Sequence, residues 1–137
     1  MTPPFLAVVI PAYNEEERIA ASIDALIDYL SERPYTWEIV VADDGSNDTT
    51  AAIVQGISDQ DDGVRLIRLP HRGKGSAVRS GMRATDADWR FLCDADLSMP
   101  PEQLGLFLTN DLAPEEAVVI GSREVTGARR FNEPSRR

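Results

Sequence analysis

Short apolar runs alternate along this chain with longer stretches in which apolar residues recur every three or four positions. Residues 5–10 form a β-rich apolar run, the pattern of a buried strand. From residue 15 to about 30, Ile19, Ile23, Leu26, Ile27 and Leu30 fall on one helical face. The same alternation continues with a strand over 37–42, a helix from about 48 to 57, and a strand over 64–69. A helix from about 74 to 84 follows, with Ala77, Val78, Gly81 and Met82 on one side, then a strand over 89–93. Pro100 and Pro101 suit the opening turn of a short helix through Leu108, and residues 117–120 read as a fifth strand.

Strands and helices in alternation with short connections predict an α/β/α sandwich around a mostly parallel central sheet. In such sheets ligands bind in the crevice beyond the carboxyl ends of the strands. The polar clusters of this chain fall there: PAYNEEE after the first strand, DDGSNDTT after the second, PHRGKGS after the third and DADLS after the fourth. Residues 1–125 are expected to form one domain. The tail at 126–137, with four arginines and little periodicity, is expected to be irregular.

Charge and cysteine content narrow the partners. The 137 residues carry 14 Lys and Arg against 23 Asp and Glu, a formal charge of −9. That balance excludes a general nucleic-acid binder, which needs a basic face, and is compatible with a site for a divalent cation. Cys93 is the single cysteine, so neither a disulfide framework nor a zinc cluster is available. The amino-terminal run has no basic residue before it and turns acidic directly after, unlike a secretory signal. No stretch reaches the length of a membrane span. A cytoplasmic setting is expected, with any membrane contact peripheral.

Each polar cluster has a structural reading beside a chemical one. Asn14 can cap the first helix with Glu17 as its partner, and Glu15 and Glu16 then sit in the positive first turn. Pro11, Ala12 and Tyr13 are left as a rigid, aromatic loop against which a planar base could pack. Ser46 or Asn47 can cap the next helix, which leaves Asp43 and Asp44 as carboxylates suited to a ribose hydroxyl or a base N–H. Gly73 and Gly75 let backbone amides approach an anion, with Lys74 adding charge near a helix start. His71, the single histidine, reads as loop polarity by default.

The fourth cluster is the most informative. In a strand residues two apart face the same side, so Asp94 and Asp96 are expected to converge on one point, and two close carboxylates repel unless a proton or cation lies between them. Without Cys or His ligands, the ion expected is Mg²⁺ or Mn²⁺, which also takes phosphate oxygens.

Taken in order, VVIPAYNEEE, EIVVADDGSNDTT, GKGSAVRSGM, DADLS and GSR resemble the family 2 glycosyltransferases, most closely their polyprenyl- and dolichyl-phosphate branch. The resemblance implies the nucleotide-sugar-binding GT-A fold, and a hexose, glucose favoured, moved to a polyprenyl phosphate. UDP-glucose is the favoured donor and GDP-mannose the second. By the same resemblance Pro11, Ala12, Tyr13, Glu15, Asp43 and Asp44 line the base and ribose pocket. Gly73, Lys74, Asp94 and Ala95 approach the donor, Asp96 and Asp94 hold the ion, and Arg123 meets the acceptor phosphate.

Family members generally continue well past the GSR strand, with segments that complete the acceptor side and often contact the membrane. This chain therefore resembles a donor-binding half, and full activity is expected to need those segments. An open sheet edge would also favour self-association. Two other readings remain: a nucleotide-sugar-binding module that performs no transfer, and a nucleotidyltransferase on a related fold. The latter calls for a glycine-rich basic loop after the first strand, where this chain has YNEEE.

Overall fold

The computed structural model describes residues 2–108. The fifth strand expected at 117–120, Arg123 and the tail at 126–137 lie outside the described residues.

Strands β1 (Leu6–Ala12), β2 (Trp37–Asp43), β3 (Val64–Arg68) and β4 (Trp89–Leu92) alternate with helices α1 (Ile19–Leu30), α2 (Thr50–Gln60) and α3 (Lys74–Arg83). A 3-10 turn at Pro101–Gln103 then leads into α4 (Leu104–Phe107). All strand pairs are parallel, in the order β3-β2-β1-β4. The chain thus builds outward from β1 to β3 and returns through α3 to place β4 on the other side of β1. That reversal opens a crevice at the carboxyl ends, the place where such sheets take ligands.

β1 is buried along its whole length because both of its faces are covered. Leu6, Val8 and Ile10 join Ile19, Ile23, Leu26 and Leu30 of α1 in the main core. Each such side chain contributes about 1.5–3 kcal/mol through burial. On the opposite face α3 lies close: a Cβ added at Gly81 would come 2.5 Å from Val9 Cγ1. Ala77 and Gly81 are the buried residues of α3, and their small size sets the spacing between helix and sheet.

Three of the boundaries that differ from the sequence expectation bear on the site. β1 runs on through Pro11 and Ala12, paired with Ala42 and Asp43, so these two are strand and not loop. α1 begins at Ile19, since Asn14 adopts a left-handed φ of 52° and its carboxamide oxygen accepts from Asn47 N at 2.8 Å. Asn14 is therefore a bridge between loops instead of a helix cap. β4 ends at Leu92, and Leu97 N turns back to the carbonyl of Asp94 at 3.0 Å.

Candidate functional site

A cleft of about 230 Å³ opens at the carboxyl ends of the strands. Its lining comes from three segments: Pro11, Ala12 and Tyr13 from the end of β1, Asp44 from the end of β2, and His71, Gly73, Lys74 and Ala77 from the β3–α3 turn and α3. No two of these segments are neighbours in sequence, and parallel pairing alone brings their ends level.

Asp44 ties the cleft together. Its backbone N–H donates to Ala12 O at 2.8 Å, continuing the β1–β2 ladder. Its carboxylate is buried and accepts from Arg72 N at 2.9 Å and Gly73 N at 3.0 Å. His71 Nδ1 lies 3.0 Å from both the Asp44 carbonyl and Asp44 Oδ2. Both neighbours are acceptors, so Nδ1 carries a proton and the ring presents Nε2 outward. Burial pushes the Asp44 carboxyl up, but the Arg72 and Gly73 amides and the His71 ring together hold it below its ordinary value of 3.8.

Gly45 is what lets these loops meet. It has a φ of 75°, and a Cβ there would stand 2.8 Å from His71 N. With the approach allowed, the His71 ring stacks on Tyr13, centroids 4.2 Å apart and planes 20° from parallel. The Tyr13 hydroxyl in turn accepts from Asn47 Nδ2 at 3.3 Å. His71 thus joins the site with no sequence signal beyond its place in the polar cluster after β3.

Other residues singled out in the sequence are placed differently. Asp43 is fully buried, and its carboxylate faces the turn, accepting from Ser46 Oγ at 2.5 Å and Ser46 N at 3.2 Å. Ser46 is therefore held by Asp43 and caps no helix. Ala95 is buried in the main core, and its carbonyl accepts from Ser22 Oγ at 2.5 Å. Glu15 pairs with Arg18 at 2.5 Å, and its backbone N–H donates to Thr50 Oγ1 at 2.8 Å.

Asp94 and Asp96 lie beyond β4, in the turn, so strand alternation does not govern their directions. Asp94 Oδ1 is 2.6 Å from Lys74 Nζ, which joins the β4 end to the cleft. Asp96 Oδ1 accepts from Ser98 N at 2.9 Å, and its Oδ2 is 4.0 Å from Arg18. Among the described residues no group of three or more His, Cys, Asp or Glu side chains is gathered for an ion. Two solvent-facing carboxylates fit Mg²⁺ or Mn²⁺ by donor chemistry, with the remaining positions left to substrate and water. Beneath them Cys93 is buried, its thiol pushed up to about 12 by burial and then by Asp94 and Asp96.

A parallel sheet with a cleft at the carboxyl ends and two carboxylates past its last described strand defines an α/β protein of the kind that takes its ligand at that end of the sheet. The comparisons with known proteins make the class specific. The model of Glycosyl transferase family 2 matches residues 7–137, and the chain belongs to that family.

Among similar proteins, a dolichyl-phosphate beta-glucosyltransferase of Trichomonas vaginalis is 35% identical over 130 residues, covering 87% of this chain and 39% of that protein. The corresponding protein of Homo sapiens is 37% identical over 132 residues, covering 86% of this chain and 40% of its own. The chain thus spans about two fifths of the length of these relatives.

Among solved structures, a mannosyltransferase from Pyrobaculum calidifontis in complex with GDP-Man and Mn²⁺ superposes with a TM-score of 0.61 at 26% identity, over 76% of this chain and 31% of that one. Glucosyl-3-phosphoglycerate synthase from Mycobacterium tuberculosis, in complex with Mn²⁺, UDP and its product, gives 0.55 at 29% identity over 77% and 38%. The fold is that of the GT-A glycosyltransferases. Among the described residues no helix is long and apolar enough to cross a membrane.

Proposed function

We propose that this chain carries the donor site of a polyprenyl-phosphate hexosyltransferase: a metal-dependent, inverting transfer of a hexose, glucose first, from a nucleotide diphosphate sugar to a lipid phosphate. The observation that carries the reading is the single cleft shared by Tyr13, Asp44, His71 and Lys74, with Asp94 joined to it through Lys74. The dolichyl-phosphate beta-glucosyltransferases among its relatives support glucose as the sugar, and UDP-glucose is the donor proposed first, GDP-mannose second. The reaction is assigned to the cytoplasmic face of a membrane, with the membrane contact peripheral.

In this reading the stacked Tyr13 and His71 rings offer a flat surface for the base. Asp44 keeps the 71–73 turn in shape, and Lys74 meets a diphosphate oxygen. Asp96 and Asp94 would hold Mg²⁺ or Mn²⁺, whose charge neutralises the departing diphosphate. A lipid phosphate, with a second pKa of about 6, is already anionic at neutral pH. Its oxygen can attack the anomeric carbon opposite the leaving group without a protein base. The new C–O bond forms as the old one breaks, the electron pair leaves on the diphosphate, and configuration inverts. Arg123 is the residue assigned to the acceptor phosphate.

Calorimetric titration with UDP-glucose and GDP-mannose, each with and without Mn²⁺, tests the donor site. The expected result is ion-dependent binding of UDP-glucose that Asp96→Asn abolishes. Binding of neither donor to the folded chain would overturn the assignment.

A further inference from the structure

The candidate ion-holding carboxylates are not equally available. Asp94 Oδ1 is engaged by the Lys74 ammonium at 2.6 Å. Among the described residues Asp96 accepts only the neutral Ser98 N–H on Oδ1, at 2.9 Å, and its Oδ2 faces the edge of Arg18 at 4.0 Å, a guanidinium already taken by Glu15 at 2.5 Å. The Oδ1 lone pair directed at the ammonium proton is not free for a cation, although Oδ2 keeps its own. A divalent ion arriving beside Lys74 would meet a like charge at close range as well.

Lys74 has the means to let go. Its side chain is 65% exposed and sits at the start of α3, beside the cleft that its own stem lines. A flexible four-carbon stem with three rotatable donors can exchange one anion for another. A diphosphate in the cleft would supply that second anion within the same reach.

Resting on the donor-site reading above, we infer that Lys74 is an exchangeable counter-ion that guards Asp94 until a nucleotide diphosphate draws it away. Asp96 is the open ligand and Asp94 the guarded one. The ion and the nucleotide then bind cooperatively, each raising the affinity of the other by the same factor. Lys74 acts here as a positioning residue, through Asp94.

The test is Mn²⁺ binding read from the electron paramagnetic resonance of the free aqua ion, first without nucleotide and then with UDP. Wild type, Lys74→Met, Lys74→Arg and Asp94→Asn are compared, with circular dichroism checking the fold. Lys74→Met is expected to bind Mn²⁺ alone more tightly than wild type, by roughly two- to fivefold, the range of an exposed ion pair. The same variant should bind UDP less tightly, so that UDP enhances Mn²⁺ binding less than in wild type. Lys74→Arg should restore weak Mn²⁺ binding. A Lys74→Met variant that binds Mn²⁺ alone no more tightly than wild type overturns the guard. An Asp94→Asn variant that binds Mn²⁺ as wild type does would instead remove Asp94 from the ion site, and the guard would fall with it.

Discussion

The imidazole of His71 lies flat on the ring of Tyr13, centroids 4.2 Å apart, although 58 positions separate them in sequence (71 − 13). The stack joins the end of β1 to the turn after β3 and forms one wall of the cleft. Its geometry is held by Asp44 on the far edge of the imidazole.

Removing that ring should weaken nucleotide binding without unfolding the chain, since the His71 side chain is more than half exposed. An aromatic pair is worth about 0.5–1.5 kcal/mol beyond area burial, so His71→Ala should raise the Kd for UDP by roughly two- to tenfold. His71→Phe, which keeps a ring, should recover most of the loss. Equal affinity in wild type and His71→Ala, measured calorimetrically, would remove the stack from the binding surface.

Asp44 makes a pH-dependent contribution to stability. Its folded-state value is held below the ordinary 3.8, so the folded protein binds fewer protons there than the unfolded chain. The stabilisation is present above the unfolded value and is lost as pH falls through the lower folded one. The gap in urea midpoint between wild type and Asp44→Asn should therefore be widest at neutral pH and close below about pH 4. A gap that stays constant across that range would contradict this role for the carboxylate.

Two helical glycines should respond to alanine with opposite signs. At Gly81 the new methyl would meet Val9 Cγ1 at 2.5 Å, and overpacking of this kind costs about 1–3 kcal/mol. At Gly56, within α2, nothing lies within 4 Å, so Gly56→Ala should stabilise by about 0.5–1 kcal/mol through helix propensity. Thermal denaturation of the two variants checks both signs at once.

Cys93 should be nearly inert in the folded protein. Lifting the thiol from 9.0 to about 12 lowers its thiolate fraction at pH 8 by about a thousandfold, and burial blocks reagents further. Iodoacetamide should label the chain rapidly in urea and negligibly in buffer. Rapid labelling of the native protein would show that the turn carrying Asp94 and Asp96 opens readily.

Much of this protein is legible in its residues alone. The alternation of apolar runs and helical faces placed every described strand and helix within a few residues. It did so because hydrophobic period is a local consequence of which faces must be buried. The same pattern put the polar clusters at the carboxyl ends, and the ordered motifs pointed to the family.

Direction was the part that spacing could not carry. Asp43 and Asp44 are adjacent, buried and chemically identical, yet one accepts from Ser46 in its own turn and the other from the 71–73 turn. Strand alternation sends them to opposite faces, and the loops packed above decide what each meets. Asp94 and Asp96 look like a strand pair until the chain turns after Leu92 and the two carboxylates face different cations. His71 joins the cleft because Gly45 has no side chain to stand in its way: a Cβ there would lie 2.8 Å from His71 N. Sequence by itself determined the elements, their order and the end of the sheet where chemistry gathers. Tertiary structure decided which side chains meet there, because contacts between distant loops depend on parallel register and close backbone approach, and neither leaves a local periodic trace.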